Sequence, residues 1–259
     1  MVVKDPTQRF SSRVANYVRY RPGYPPEVID LMKKECGLTT DAVIADVAFG
    51  TGLFTRMLLE NGNRVVGVEP NADMRRAGEE FLRSYPKFAS VEGTAEQTTL
   101  PDNSVDIVTA AQAAHWFDRT KARQEFIRIL KSGGWSVLLW NERRLDSSPF
   151  LRSFEKLLLS YGTDYESVRH ERTTKEIETF FAPSPWQVHT FEYRQQFDYQ
   201  GLEGRLLSSS YTPQSDDVAY APMLKELRQI FDSHHTNGRV AFEYNTLVYY
   251  GQLQSLSLR

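Results

Sequence analysis

The sequence predicts an α/β protein with a doubly wound, mostly parallel sheet of seven strands and a helical cap. Two observations favour this class. Over the first 144 residues, short apolar runs alternate with segments of helical periodicity, as they do in βαβ units around a parallel sheet. After residue 144, helical patterns and two longer alternating runs remain, which indicates a cap together with strands that complete the sheet.

Strands and helices alternate in the first part of the chain. The apolar runs predict strands at 43–47, 64–70, 89–92, 104–111 and 135–140. Helical spacing predicts helices over 53–60, from Ala72 and over 122–130. The residues expected to face the sheet are Leu53, Met57 and Leu58 in the first helix and Phe126, Ile127 and Leu130 in the last. We expect Asn61-Gly62 and Gly133-Gly134 to end these two helices.

The second part of the chain has three helical patterns. They are predicted over 150–161, from about Thr173, and over 221–231, with strands at 188–197 and 239–253. Ser148 and Pro149 occupy the favoured N-cap and first positions of the first of these helices. Thr173 and Glu176 have the spacing of a capping box at the start of the second.

These patterns divide the chain into three consecutive parts of one domain. Residues 1–40 are expected to form N-terminal lid helices, 41–144 the nucleotide-binding core, and 145–259 the cap and the completing strands.

Composition excludes several classes of function. The net charge of −2 and the pI of about 6.2 leave no large basic surface, so we expect no nucleic-acid partner. The longest uninterrupted apolar run, WSVLLW, has six residues, so no membrane partner is expected. Cys36 is the only cysteine, which fits a reducing compartment, and we expect a cytoplasmic location.

The stretch DVAFGTG at 46–52 is the strongest chemical signal. A strand ending at Asp46, a turn containing Gly50 and Gly52, and a helix from Leu53 together direct free backbone N–H groups at a ligand. Glu69, at the end of the next strand, lies 23 residues beyond Asp46, the spacing of a carboxylate that accepts both ribose hydroxyls. Loop and acid together predict an adenine-nucleotide site in a Rossmann-like fold.

Ala48 occupies the position where such loops usually carry their first glycine. A methyl group matters there only if the backbone needs a positive φ or lies against the ligand. We expect an alanine with negative φ that fits the turn. The alternative is a weakened or lost nucleotide site.

Further motifs give the chain a family resemblance. Besides the loop and Glu69-Pro70, they are GTAE at 93–96, AQAAHWFD at 111–118 and LKSGG before the fifth strand. In this order they resemble the class I S-adenosylmethionine-dependent methyltransferases, over roughly residues 10–145. YRPGYP at 20–25 and HW at 115–116 are similar to the small-molecule branch that includes trans-aconitate-type enzymes.

The resemblance implies a role for each matching residue toward S-adenosylmethionine. Gly50, Thr51 and Gly52 would line its methionyl part, with Ala48 in the same loop, and Glu69 would hold the ribose. Pro70 or Met74 would cover one adenine face, while Ala95 and Glu96 would meet the adenine edge. Asp46 would accept from loop N–H groups or face the ammonium, Ala111 and Gln112 would border the sulfonium, and Arg21 would pair with the carboxylate.

The resemblance also implies transfer of a methyl group to a small organic acceptor under the cap. Such a reaction depends mainly on aligned approach. His115, just past the fourth strand, is the candidate base, and the alternative is that it packs against the cofactor or caps the next helix. The expected acceptor-binding residues are Tyr20, His115, Trp116, Arg143 and Tyr211.

Two other functions stay open at this point. A nicotinamide-dependent oxidoreductase shares the loop and the acid, but Leu53 stands where the third glycine of its motif is expected. A protein that binds a nucleotide without turnover is compatible with Ala48. No metal site is expected, because His234-His235 has no cysteine or acidic partner at ligand spacing.

Overall fold

The computed structural model describes residues 20–168 and 174–254. The strands within these ranges are β1 (Val43–Val47), β2 (Arg64–Val68), β3 (Phe88–Val91), β4 (Val105–Ala111), β5 (Leu130–Arg143), β6 (Gln187–Phe197) and β7 (Val240–Gly251). The helices are α1 (Glu27–Glu35), α2 (Leu53–Glu60), α3 (Ala72–Leu82), α4 (Arg119–Ile129), α5 (Pro149–Tyr161), α6 (Tyr165–Val168), α7 (Thr174–Phe181), α8 (Tyr199–Leu207) and α9 (Tyr220–His234). The predicted fold class is confirmed.

The strands form one sheet in the order β3-β2-β1-β4-β5-β7-β6. The first five are parallel, and β7 runs antiparallel to both β5 and β6. Strand order reverses between β1 and β4, so loops from their carboxyl ends diverge and leave a crevice there. The glycine loop follows β1 and therefore lies at this crevice.

Alternation along the strands fills a core on each face of the sheet. On one face, Ile44 packs with Met32 of α1 and Leu58 of α2. On the other, Ala45 and Val47 belong to a cluster with residues of α4 and α7. A third cluster lies in the cap, where α5, α8 and α9 pack with aromatic residues of β7. Among the helices of the described residues, none is long and apolar enough to cross a bilayer.

The buried face of α2 differs from the predicted one. Phe54, Thr55, Leu58 and Leu59 are buried, whereas Leu53 and Met57 are only partly so. The Thr55 hydroxyl donates to Asp46 at 2.6 Å, which turns this side of the helix toward the sheet. Leu58 is buried as predicted, whereas the apolar spacing was wrong for Leu53 and Met57 and did not identify the polar contact of Thr55.

The role predicted for Gly133-Gly134 is wrong. Helix α4 already ends at Ile129, and both glycines lie inside β5, which begins at Leu130. Gly133 has φ +78°, and a Cβ at Gly134 would lie 2.9 Å from the Asp106 carbonyl oxygen. The register with β4 shifts at this point, so the glycines form a strand irregularity that brings the backbones close.

The start of α5 is as predicted. Ser148 is the N-cap, its hydroxyl accepting from the Leu151 N–H at 3.2 Å, and Pro149 occupies the first turn. The expected capping box at the next helix includes Thr173, which lies outside the described residues.

Candidate active site

A cavity opens at the carboxyl edge of β1, β2 and β4. It is lined by Ala48, Gly50, Glu69, Pro70, Asn71, Met74, Thr94, Ala95, Glu96, Ala111, Gln112, Ala113, Trp116 and Phe117. Among the predicted cofactor-binding residues, it brings together Ala48, Gly50, Glu69, Pro70, Met74, Ala95, Glu96, Ala111 and Gln112. Loops from four successive parallel strands thus converge on one space.

The loop after β1 has an unusual backbone. Ala48, Gly50 and Gly52 have φ values of +56°, +60° and +85°, so every second residue is left-handed. The expectation of a negative φ at Ala48 is wrong. A side chain in this region costs about 1–2 kcal/mol, and the Ala48 N–H donates to the Val68 carbonyl at 2.7 Å, which holds the strained residue against β2. Ala48 lies on the cavity wall despite this strain.

Two glycines outside the loop let it sit close to its supports. The Phe49 ring packs over Gly67 of β2 and Gly78 of α3, where an added Cβ would lie 2.6 Å and 2.5 Å from ring carbons. The same Cβ at Gly78 would lie 2.9 Å from the Gly50 carbonyl oxygen. The sequence analysis missed both glycines. Their signal was a glycine inside a strand and another inside a helix, places where glycine is unfavourable without a packing reason.

Glu69 connects the loop to the start of α3. One carboxylate oxygen, Oε2, accepts from the Gly50 N–H at 3.0 Å, and Oε1 accepts from the Asn71 N–H at 2.9 Å. Burial raises the pKa of Glu69, although these two donors oppose the shift. Each oxygen keeps a further lone pair, so the carboxylate retains acceptor capacity toward the cavity.

Asn71 is a cavity residue that the sequence analysis missed. Its side-chain oxygen accepts from the N–H groups of Asp73 and Met74, both at 2.9 Å, and so caps α3. The cap fixes where the helix begins and places Met74 on the cavity wall. An asparagine just before a helical pattern was the signal available in the sequence.

Asp46 lies beneath the loop with partners other than those expected. Its two oxygens accept from the hydroxyls of Thr55 at 2.6 Å and Thr109 at 2.8 Å. Burial raises its pKa to about 6, with both hydroxyls opposing the shift. It therefore ties α2 to β1 and β4, and it does not line the cavity.

Three more predicted cofactor residues lie away from the cavity wall. Thr51 is 1% exposed, and within the described chain its hydroxyl oxygen has no hydrogen-bond partner. Gly52 faces α3, since a Cβ there would lie 2.7 Å from Leu82. Arg21 donates to the Ser208 carbonyl oxygen at 3.1 Å, in the cap. The structure does not bring these residues to the space that holds the other nine.

The opposite wall is formed after β3 and β4. The Glu96 side chain accepts from the Asp118 N–H at 2.8 Å and so joins this wall to the start of α4. Gln112 has φ +59°, the second left-handed non-glycine residue on the cavity wall. Its N–H donates to the Leu139 carbonyl oxygen at 2.9 Å and its side-chain amide to the Asn141 carbonyl oxygen at 3.1 Å. Strain held in place at a cavity wall is typical of functional sites.

His115 is beside the cavity but does not line it. It lies in a 3₁₀ turn over Ala114–Trp116, and its ring is 4.4 Å from that of Trp116, which is 38% exposed and does line the cavity. This contact does not distinguish a base from a ring that packs against the cofactor, and the cap of the next helix is Asp118. A role as base stays a prediction.

The other expected acceptor-binding residues belong to the cap or contact it. The Arg143 guanidinium is paired with the Glu155 carboxylate and donates to the Tyr165 hydroxyl at 2.9 Å. The Tyr211 ring lies 4.9 Å from the Tyr165 ring. Tyr20 packs on α8, where a Cβ at Gly204 would lie 2.1 Å from its ring. Arg143 and Tyr211 thus both contact Tyr165, whereas Tyr20 packs against α8.

His234 and His235 each have a hydrogen-bond partner. The His234 ring is 3.1 Å from the Ser153 hydroxyl, and the His235 ring accepts from the Gly238 N–H at 3.2 Å. Over residues 20–168 and 174–254, no group of three His, Cys, Asp or Glu side chains is arranged to hold a metal ion.

The geometry of the cavity indicates the class of protein. A glycine turn and a strand-end carboxylate that share a cavity at the reversal of strand order are typical of nucleotide-binding α/β enzymes. The family profile described as "Methyltransferase domain" matches residues 45–138. An uncharacterized methyltransferase of Mycobacterium tuberculosis is 33% identical over 249 residues, covering 94% of this chain and 95% of that protein. The chain belongs to the class I S-adenosylmethionine-dependent methyltransferase family.

Solved structures support the same fold. A putative type II methyltransferase from Anaeromyxobacter dehalogenans superposes with a TM-score of 0.67 at 21% identity, covering 91% of this chain and all of that one. Phosphoethanolamine N-methyltransferase 2 of Haemonchus contortus, solved in complex with S-adenosyl-L-methionine, gives a TM-score of 0.58 at 14% identity, over 97% of this chain and 59% of that one. The oxidoreductase and the turnover-free binding protein are not favoured.

Proposed function

We propose that the protein binds S-adenosyl-L-methionine in the cavity and transfers its methyl group, by in-line displacement, to a small organic acceptor enclosed under the cap. The observation that carries this proposal is the placement of Glu69. Its carboxylate lies in the cavity wall, is oriented by two backbone donors, and retains lone pairs for a diol.

We assign each part of the cofactor to a part of the cavity wall. Glu69 would accept from the ribose hydroxyls, with Met74 and Pro70 against the adenine and Ala95 and Glu96 at its edge. The loop residues Ala48 and Gly50 would lie along the methionyl part, and Ala111 and Gln112 near the sulfur. Thr51, Gly52 and Asp46 would support the loop from outside the cavity, as their contacts indicate.

S-adenosylmethionine supplies, when bound, a methyl group activated by the positive charge on sulfur. The protein must then orient the acceptor and exclude water. Aligned approach lowers such a barrier by about 7–11 kcal/mol, whereas a general base contributes only about 10²–10⁴-fold in rate. We therefore assign most of the rate enhancement to alignment by the cavity wall. His115 would only remove a proton from a hydroxyl acceptor.

The acceptor would be held between the cavity and the cap cluster of Arg143, Glu155, Tyr165 and Tyr211. Arg143 has a side chain that is 11% exposed, and its second terminal nitrogen, Nη1, is buried with no hydrogen-bond partner within the described chain. Such a nitrogen favours an acceptor molecule that carries an oxygen. Trp116 and Tyr20 would close the sides. We propose a cytoplasmic enzyme that acts without nucleic acid or membrane.

Calorimetric titration with S-adenosylmethionine and, separately, with NADH tests this proposal. We expect binding of the first and none of the second. Glu69→Gln should weaken S-adenosylmethionine about 10–100-fold, because charge-assisted hydrogen bonds contribute about 1.5–3 kcal/mol. Glu92→Gln is the matched control, since Glu92 also follows a strand but its side chain is 75% exposed and off the cavity wall.

A screen of metabolite pools with methyl-labelled cofactor then tests transfer. Label in a small product supports the proposal, and label only in protein or nucleic acid contradicts the small acceptor. Binding of NADH alone would overturn the cofactor assignment.

A further inference from the structure

A short segment before α1, residues 20–25, crosses the carboxyl edge of the sheet. The Tyr24 ring makes an edge contact with Phe54 of α2, with ring centroids 5.2 Å apart. Three residues earlier, the Arg21 side chain donates to the Ser208 carbonyl oxygen of the cap at 3.1 Å. The segment therefore joins the helix that follows the glycine loop to the cap on the other side.

Asn141 of β5 fixes this segment where it crosses the sheet. The Asn141 side-chain amide donates to the Gly23 carbonyl oxygen at 2.8 Å. Its side-chain oxygen accepts from the Thr246 hydroxyl at 2.6 Å. Thr246 is fully buried on β7, opposite Asn141 in the strand register, so its hydroxyl orients the amide toward Gly23.

The same residue also holds the strained cavity wall. The Gln112 side chain donates to the backbone carbonyl oxygen of Asn141 at 3.1 Å. Gln112 has φ +59° and lines the cavity at the end of β4. Asn141 thus contacts, through its backbone and its side chain, both the wall assigned to the sulfur side and the segment that bridges to the cap.

We infer that Asn141 is a positioning residue for methyl transfer, which couples the 20–25 segment to the Gln112 wall so that both are in place together. The inference rests on the proposed function. No atom of Asn141 needs to touch the cofactor or the acceptor. Its side-chain effect is transmitted through Gly23, and its backbone supports Gln112.

Asn141→Asp changes one property of this arrangement. The carboxylate still accepts from Thr246, but it cannot donate to the Gly23 carbonyl and places two oxygens face to face. Asn63→Asp is the matched control, because Asn63 is equally an asparagine that donates to carbonyl oxygens, those of Thr39 at 2.7 Å and Ala42 at 3.0 Å. It lies at the opposite end of β1, away from the cavity.

The test measures S-adenosylmethionine affinity and the hydrogen–deuterium exchange of peptides covering residues 20–30 and 105–116. In the wild type and in Asn63→Asp, we expect S-adenosylmethionine to slow exchange in both peptides. In Asn141→Asp, slowing of the 20–30 peptide should be lost and the Kd should rise about tenfold, which corresponds to one hydrogen bond of about 1.4 kcal/mol.

A second pair of variants keeps the test informative if Asn141→Asp does not fold. Thr246→Val removes the hydroxyl that orients the Asn141 amide. S-adenosylmethionine should then slow exchange of the 20–30 peptide less than in the wild type, and Thr246→Ser should behave like the wild type. If the wild type binds no S-adenosylmethionine, the proposed function fails. If it binds and Asn141→Asp behaves like Asn63→Asp, this inference alone is wrong.

Discussion

The two halves of the molecule hold their polar groups in opposite ways. Around the cavity, Glu69 and Asn71 bond to backbone N–H groups of the loop and of α3. In the cap, Arg143, Glu155 and Tyr165 bond to one another through side chains. A site built on backbone donors depends little on neighbouring side chains and suits a constant ligand. A cluster built on side chains is altered by single substitutions, which suits the acceptor specificity that we propose for it.

The largest effect that would sharpen this comparison is expected at Arg143. Arg143→Met leaves the Glu155 carboxylate buried without its ion-pair partner, which should lower the free energy of unfolding by about 3–5 kcal/mol. The Kd for S-adenosylmethionine should stay within about threefold, since the cavity half is held separately. Urea denaturation and calorimetry measure the two quantities.

A double variant, Arg143→Met with Glu155→Met, should recover most of the lost stability because no buried charge remains. If stability is not recovered, the ion pair contributes more to stability than the neutralisation of two buried charges. A large loss of cofactor affinity in either variant would contradict the separation of the two halves.

Gly78→Ala should have the next largest effect, this time on the cavity half. The new methyl group would press on Phe49 and on the Gly50 carbonyl oxygen. Displacing the loop by even 1 Å should lower kcat/KM for methyl transfer about 100-fold. Gly133→Ala is the control, because it also adds a methyl group to a glycine, here one with φ +78°, but nothing lies within 4 Å of the new atom. Equal kcat/KM in the two variants would count against the packing argument.

Ala48→Gly should produce a smaller gain. Relief of left-handed strain is worth about 1–2 kcal/mol, offset by about 0.5–1 kcal/mol from the greater freedom of glycine in the unfolded chain. We expect a net stabilisation between about 0 and about 1.5 kcal/mol and a change in Kd within about threefold, because the strain is present with or without ligand. A gain in affinity of tenfold or more would show that the methyl group obstructs the cofactor.

A pH dependence is expected at Asp46. Burial raises its pKa to about 6 from an ordinary value of 3.8, so the folded state binds this proton more tightly than the unfolded state does. Its contribution to the free energy of unfolding is therefore full below pH 4 and is lost as the pH rises through about 6. Asp46→Asn should flatten the stability profile between these values in urea titrations. An unchanged profile would contradict the assignment.

Local patterns were sufficient to predict the strands, most helices and the position of Glu69 at the cavity. Apolar runs locate buried strands, and the interval from Asp46 to Glu69 spans one βαβ step, so it is set by the fold itself. Contacts between distant segments were not predictable. The left-handed Ala48, the glycines under Phe49 and the hydroxyls on Asp46 each depend on a partner from another element. The strand role of Gly133-Gly134 was missed because a glycine pair after a helix has the same local signature as a helix stop.

The sheet order has a consequence for assembly during synthesis. Strand β6 lies at the sheet edge beside β7, yet it precedes β7 along the chain. It can join the sheet only with or after β7, which pairs with β5 from about 100 residues further along the chain. The first five strands can therefore condense early from sequence-local units, whereas β6 and β7 complete the sheet among the last events, and a slow, late folding phase should report that completion.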